Sequence, residues 1–223
     1  MATPLDLQEQ EQLDSLRSFW KQYGNLITWS LVIVLGAFAA WNGWNWYQRD
    51  QAQKAGAMFD ELDRAAQAGD AEKAGRVFAD LRGRYPGTPY AQQAGLLAAK
   101  VQAEKGKADD AIASLNWVAG EALDEEIRTV ARIRLAGVLA DAGKHEAALK
   151  ELDAAKASGF EALVADRRGD VLLAMGRKAD AAGAYKAAWD ALPATVDYRR
   201  LVEIKMTALG AVPPALAASG VSR

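Results

Sequence analysis

The chain contains no cysteine and a single histidine, His145. Without cysteine there is no disulfide and no thiolate nucleophile, and one histidine cannot complete any of the common zinc ligand sets. That absence fits either face of a membrane, so it leaves the compartment open. Charge of one sign is also missing: 27 Lys and Arg against 29 Asp and Glu give a net charge of −2. The basic patch that nucleic acid demands is therefore not there. A phosphate cradle is lacking too, because Gly106-Lys107 and Gly143-Lys144 have neither the flanking glycine nor the following Ser or Thr of a P-loop. The acidic cluster Asp124-Glu125-Glu126 sits at a helix start, where carboxylates offset the helix dipole instead of forming an acid–base pair. His145, beside the Gly143-Lys144 turn, is expected to face solvent. The chain reads as non-enzymatic, with no catalytic, cofactor-binding or metal residues and no small-molecule substrate.

What the chain does have is one uncharged run, Gln22 to Gln48, enclosed by Lys21 and Arg49, whose core reads LITWSLVIVLGAFAAW. About 20 apolar residues are needed to cross a bilayer as a helix. Amphipathic rings flank the run, Trp20 and Tyr23 at one end and Trp41, Trp44, Trp46 and Tyr47 at the other, as expected for side chains that settle in the headgroup layer. A cleaved signal peptide would have a shorter apolar core and small residues after it; here the bulky WNGWNWYQ follows, so the run reads as an uncleaved anchor. Arg17 and Lys21 before it balance Arg49 and Lys54 after it, and the positive-inside rule gives no orientation. A large domain after one anchor most simply crosses the membrane, leaving the tail in the cytoplasm. Within the run Gly36, Ala40 and Gly43 share one narrow helix face, and small residues let a partner helix approach in lipid. Asn42 and Asn45 could add hydrogen bonds across such a contact or reach interfacial water.

The expected organisation is a tail over residues 1–24 with a short amphipathic helix, a transmembrane helix over 25–48, a repeat domain over 49–210 and a disordered tail over 211–223. In the first tail, Thr3 would cap the helix, Pro4 would open it and Asp6 would favour its positive end. Leu13, Leu16 and Trp20 would form its stripe, against the membrane surface or a partner, before a turn at Gly24-Asn25.

Beyond the anchor the pattern is all-α, alanine-rich and helical in period, with no strand alternation. Four turns align at Gly69, Gly106, Gly143 and Gly176, spaced 37, 37 and 33 residues apart. Five residues after each comes Ala74, Ala111, Ala148 or Ala181, and nine after each comes Phe78, Leu115, Leu152 or Tyr185. Pro86 and Pro193 stand seventeen residues after the first and last glycines. Seven residues before the last three come Ala99, Ala136 and Gly169, with Leu62 in the first repeat. Self-similarity at this period predicts a tetratricopeptide-repeat-like α-solenoid; a non-repetitive alanine-rich bundle is the alternative. Glycine ends helix A, the small residues allow close crossing, the bulky residue fills the gap toward the next repeat, and proline stops helix B. A final helix, Asp197 to Leu209, is expected to cover the last repeat with Leu201, Ile204 and Leu209.

QLDSLRSFWKQYGN with an anchor ending AAWNGWNWYQ, followed by RYPGTPYAQQAGLLAAK, IRTVARIRLAGVLADAGKHEAALKELD, EALVADRRGDVLLAMGRKADAAGAYKAAW and VEIKMTALG, resembles the YfgM family. These are ancillary subunits of the bacterial SecYEG translocon. The resemblance implies an inner-membrane protein with its repeat domain in the periplasm. It implies association with the translocon and the periplasmic isomerase PpiD, and a non-enzymatic adaptor role linking exported polypeptides to periplasmic chaperones. It supplies no catalytic residues. The competing expectation from the residues alone is an envelope scaffold for another process, such as outer-membrane protein assembly.

Overall fold

The computed structural model describes residues 7–211 of the chain, with side-chain burial described from residue 11 onward. The expected cap at Thr3 with Pro4 and Asp6, and the tail past Ala211, lie outside the described residues. Within them the fold is all-α, nine helices and no strand. The chain divides between Gln51 and Ala52 into two compact units.

The first unit consists of the opening part of α1, which runs Leu7–Gln67. No turn occurs at Gly24-Asn25; the helix passes straight through both residues. A lone interior glycine weakens a helix by about 1 kcal/mol against alanine, and a break needs proline or a left-handed residue. Gly24 is not left-handed. Its carbonyl accepts from Thr28 Oγ1 at 2.7 Å, and the Trp20 ring covers the place a Cβ would take.

In the second unit, residues 52–67 of α1 form the first A helix and α2 (Ala71–Arg84) the first B helix. The alternation continues through α3 (Pro89–Glu104), α4 (Ala108–Glu121), α5 (Glu125–Asp141), α6 (His145–Ala154), α7 (Glu161–Ala174) and α8 (Lys178–Ala191). Every A helix closes in the same way. Gly69, Gly106, Gly143 and Gly176 have φ of +67°, +73°, +74° and +77°. The residue after each donates its N–H to the carbonyl five residues back, as in Asp70 to Ala65 at 2.9 Å and Lys144 to Leu139 at 2.8 Å. This is the Schellman arrangement, which satisfies carbonyls a helix end leaves open and requires the left-handed residue glycine supplies.

Packing follows from the positions around these turns. Ala74, Ala111, Ala148 and Ala181 are completely buried, and Phe78, Leu115, Leu152 and Tyr185 nearly so. Seven residues before the turns, Leu62, Ala99, Ala136 and Gly169 lie at the crossings. A Cβ at Gly169 would stand 2.4 Å from the Tyr185 ring, closer than any two carbons tolerate. Helices α2 and α8 end two residues before Pro86 and Pro193, which cannot continue them. The buried apolar residues form three clusters in chain order: Ala55 to Ala98, Leu96 to Val171, and Leu172 to Met206. Each repeat thus completes its core with its neighbours.

The last helix, α9 (Tyr198–Ala208), differs from expectation in the face it buries. Val202 and Met206 are the inward residues, with Leu209 partly buried beside them, whereas Leu201 and Ile204 point outward. Two apolar stripes compete on this helix, and tertiary partners of Tyr198 and Lys205 decide between them. It closes like an A helix, with Gly210 at φ +76° and Ala211 N–H donating to Met206 O at 3.0 Å.

Candidate functional site

No catalytic constellation organises the described residues. No group of three or more His, Asp or Glu side chains is placed to hold a metal ion among them. His145 is half-buried, not solvent-facing: its Nδ1 is covered and has no hydrogen-bond partner. Asp124 caps α5 by accepting from Glu126 N–H at 3.0 Å. Hydrogen bonding to Glu126, through its side chain first and this backbone N–H second, holds the Asp124 carboxyl below the usual carboxylate range. The surfaces able to do something are the anchor and the inner face of the repeats.

In the anchor, α1 is long and apolar enough to cross a membrane, and little of its apolar stretch is covered by the chain itself. Trp20, Tyr23, Trp41, Trp44, Trp46 and Tyr47 are all exposed. Phe19 packs on Tyr23 with ring centroids 5.1 Å apart, and Trp44 on Tyr47 at 6.2 Å. Gly36, Ala40 and Gly43 are exposed on one side, and a Cβ at either glycine would meet nothing within 4 Å. Asn42 Nδ2 donates to Phe38 O at 2.9 Å, on its own helix.

In the repeats, the A helices α3, α5 and α7 pack on one another, while successive B helices make no comparable contact. A layer whose members touch is the inner, concave one. Between these A helices lies a groove of about 360 Å³, lined by Leu96, Ala99, Lys100, Arg134, Val138 and Arg167 among others. Its lining combines aliphatic side chains with three cations, Lys100, Arg134 and Arg167, and two carboxylates, Glu104 and Asp141. Nothing in the glycine register alone identifies these residues.

The chain matches the model of a tetratricopeptide repeat-like domain family over residues 17–211. It is 30% identical over 181 residues to the ancillary SecYEG translocon subunit of Escherichia coli (strain K12), covering 80% of this chain and 86% of that protein. The protein of the same name from Neisseria gonorrhoeae is 29% identical over 207 residues, 91% of this chain and 98% of its own length. A third, from Haemophilus influenzae, is 28% identical over 182 residues. The chain belongs to the YfgM family.

Two stretches that carry the YfgM resemblance, DRRGD and VEIKM, turn out to meet in space. Asp166 on α7 is 3% exposed. It accepts from Tyr198 Oη at 2.6 Å and from Lys205 Nζ at 2.8 Å, both on the α9 side. Lys205 Nζ also donates to Asp170 at 2.7 Å, and Asp170 accepts from Tyr185 Oη at 2.8 Å. Burial, reinforced by the hydrogen bonds to Asp170 and Asp166, pushes the Tyr185 and Tyr198 hydroxyls far above their ordinary range. A buried charge needs partners that satisfy its lone pairs, and this network supplies them across α7, α8 and α9. It locks the last helix onto the repeats. A third family stretch, IRTVARIRLAGVLADAGKHEAALKELD, supplies both Arg132 on α5 and its partner Glu151 on α6, 3.0 Å apart.

Proposed function

We propose that this YfgM-family chain is a non-enzymatic inner-membrane adaptor of the SecYEG translocon. Its short N-terminal segment lies in the cytoplasm, the apolar part of α1 spans the membrane, and the repeats stand in the periplasm. There they link exported polypeptides to periplasmic chaperones and to the isomerase PpiD. The observation that carries this reading is the correspondence, over nearly their full length, with proteins named ancillary SecYEG translocon subunits. The arrangement of parts supports it. Among the described residues one exposed apolar helix gives a tether, and the groove on the inner face of the repeats gives a binding surface.

The unoccupied face at Gly36, Ala40 and Gly43 is where a partner's helix would approach in lipid. Aromatic rings at both ends hold the helix at fixed depth, so that face is presented at constant height.

Copurification from mild detergent tests the reading. Translocon subunits and a membrane-bound isomerase should be recovered with the chain, and Gly36→Leu with Gly43→Leu should weaken that recovery without blocking insertion. Recovery of unrelated envelope machinery in their place would sink it. Protease added to intact spheroplasts should digest the repeats; protection until the inner membrane is broken would reverse the orientation.

A further inference from the structure

The concave groove contains a guanidinium that is unpaired among the described residues. On α5, Arg128 pairs with Glu125, and Arg132 with Glu151 at 3.0 Å. On α7, Arg168 pairs with Asp153 at 2.6 Å. Arg134, on the groove side of α5, is exposed and has no ion-pair partner among the described residues. Arg167 is its equivalent in the next repeat, each standing nine residues before its turn glycine. A Cβ added at Gly137, one turn beyond Arg134, would lie 3.7 Å from Arg167 Cζ. The Arg167 guanidinium therefore lies against α5 beside Gly137, one turn from Arg134, and both arginines line the same groove. Arg167 pairs with Asp170 Oδ2 at 3.5 Å, while Lys205 and Tyr185 take the other oxygen of that carboxylate. At that length the contact is an ion pair and not a hydrogen bond, so the guanidinium keeps donors for a ligand.

The rest of the groove narrows what these cations would hold. Its aliphatic lining, including Leu96 and Val138, favours apolar side chains. Its own carboxylates, Glu104 and Asp141, stand at the C-terminal ends of α3 and α5. Asp141 is seven residues from Arg134, about 10 Å along the helix axis and beyond ion-pair reach. Those acids would repel a polyanion such as nucleic acid, yet leave room for one carboxylate at the Arg134 end. Planar forks bind carboxylate in two parallel hydrogen bonds.

We infer that the groove binds an extended polypeptide stretch in which an acidic side chain stands among aliphatic ones, its carboxylate taken by Arg134 and Arg167. This rests on the adaptor reading above and names the chemistry of the segment it receives. The test uses the full chain in detergent and two labelled peptides of alternating Leu and Glu or Leu and Gln, followed by fluorescence anisotropy. The Glu peptide should bind about tenfold more tightly, the worth of a charge-assisted pair, and added salt should reduce the difference. Arg134→Gln and Arg167→Gln should each erase that preference while the circular dichroism stays unchanged. Equal binding of the two peptides, failure of both to bind, or a preference that survives both substitutions overturns the inference. Recovery of translocon subunits with the Arg134→Gln chain is measured in parallel. Retained recovery leaves the adaptor reading standing whatever the peptides do.

Discussion

Leu35 in the anchor is 61% exposed and Ile204 on α9 is 59% exposed, yet the two exposures mean opposite things. Around Leu35 the helix shows Val32, Ile33, Val34 and Phe38 on all its sides. A helix apolar all round is at equilibrium only in an apolar solvent, so exposure there is contact with lipid. Around Ile204 the helix is amphipathic, with Val202 and Met206 buried and Arg200 and Thr207 exposed. Exposure there is contact with water or with a partner. The unit before Gln51 is thus fixed by its surroundings and the unit after it by its own packing.

The largest effect should come from charge in the anchor. Leu35→Arg replaces a favourable residue with one that opposes insertion, so the membrane-inserted state should lose about 3 kcal/mol. The measurement is the fraction of chain resisting alkaline extraction from membranes. An unchanged fraction would mean that the helix is held by protein contacts and not by lipid.

Next comes the buried network. Lys205→Met leaves Asp166 without its cation, and removal of one partner from a buried pair costs about 3–5 kcal/mol. Lys205 is a quarter exposed, so about 2–3 kcal/mol is expected after allowing for solvent. Chemical denaturation followed by circular dichroism would read it. Adding Asp166→Asn should restore part of the loss; no restoration would show that Lys205 acts by packing alone.

That network marks the boundary of what the sequence discloses. The turn glycines, the alanines five residues on and the bulky residues nine residues on obey local rules, so their spacing reveals them before any fold is known. Gly169 is legible for the same reason, since it stands where Ala99 and Ala136 stand. Asp166 and Lys205 are 39 residues apart, and nothing local says that they meet. The face of α9 hides for a related reason. Leu201 with Ile204 and Val202 with Met206 are both acceptable stripes at helical spacing, and the contacts of Tyr198 and Lys205 with Asp166 select the second. The groove cations Arg134 and Arg167 share a register position, but their neighbours Arg132 and Arg168 are also arginines, and only the structure shows which of them line the groove.

A smaller effect tests the register itself. Ala148 is 0% exposed at a helix crossing while Ala147 beside it faces solvent. Ala148→Leu should overpack the crossing of α5 and α6 and destabilise the repeats by about 1–3 kcal/mol. Ala147→Leu should stay within about 0.5 kcal/mol. Equal melting temperatures for the two would remove the crossing from the account of what holds the repeats together.

The smallest effect returns to Ile204 and closes the comparison with Leu35. Ile204→Arg puts a charge on an outward position of α9 whose buried residues, Val202 and Met206, it does not touch. Surface substitutions away from caps and buried polar groups change stability by no more than about 0.5 kcal/mol, and arginine is a better helix former than isoleucine. The denaturation midpoint should therefore hardly move, although the same type of change at Leu35 disables insertion. A loss above about 1 kcal/mol would mean that this face is covered when the repeats are folded. Exposed apolar area would then mark a contact in the second unit as it does in the first, and α9 would be an internal layer of the assembly instead of its end.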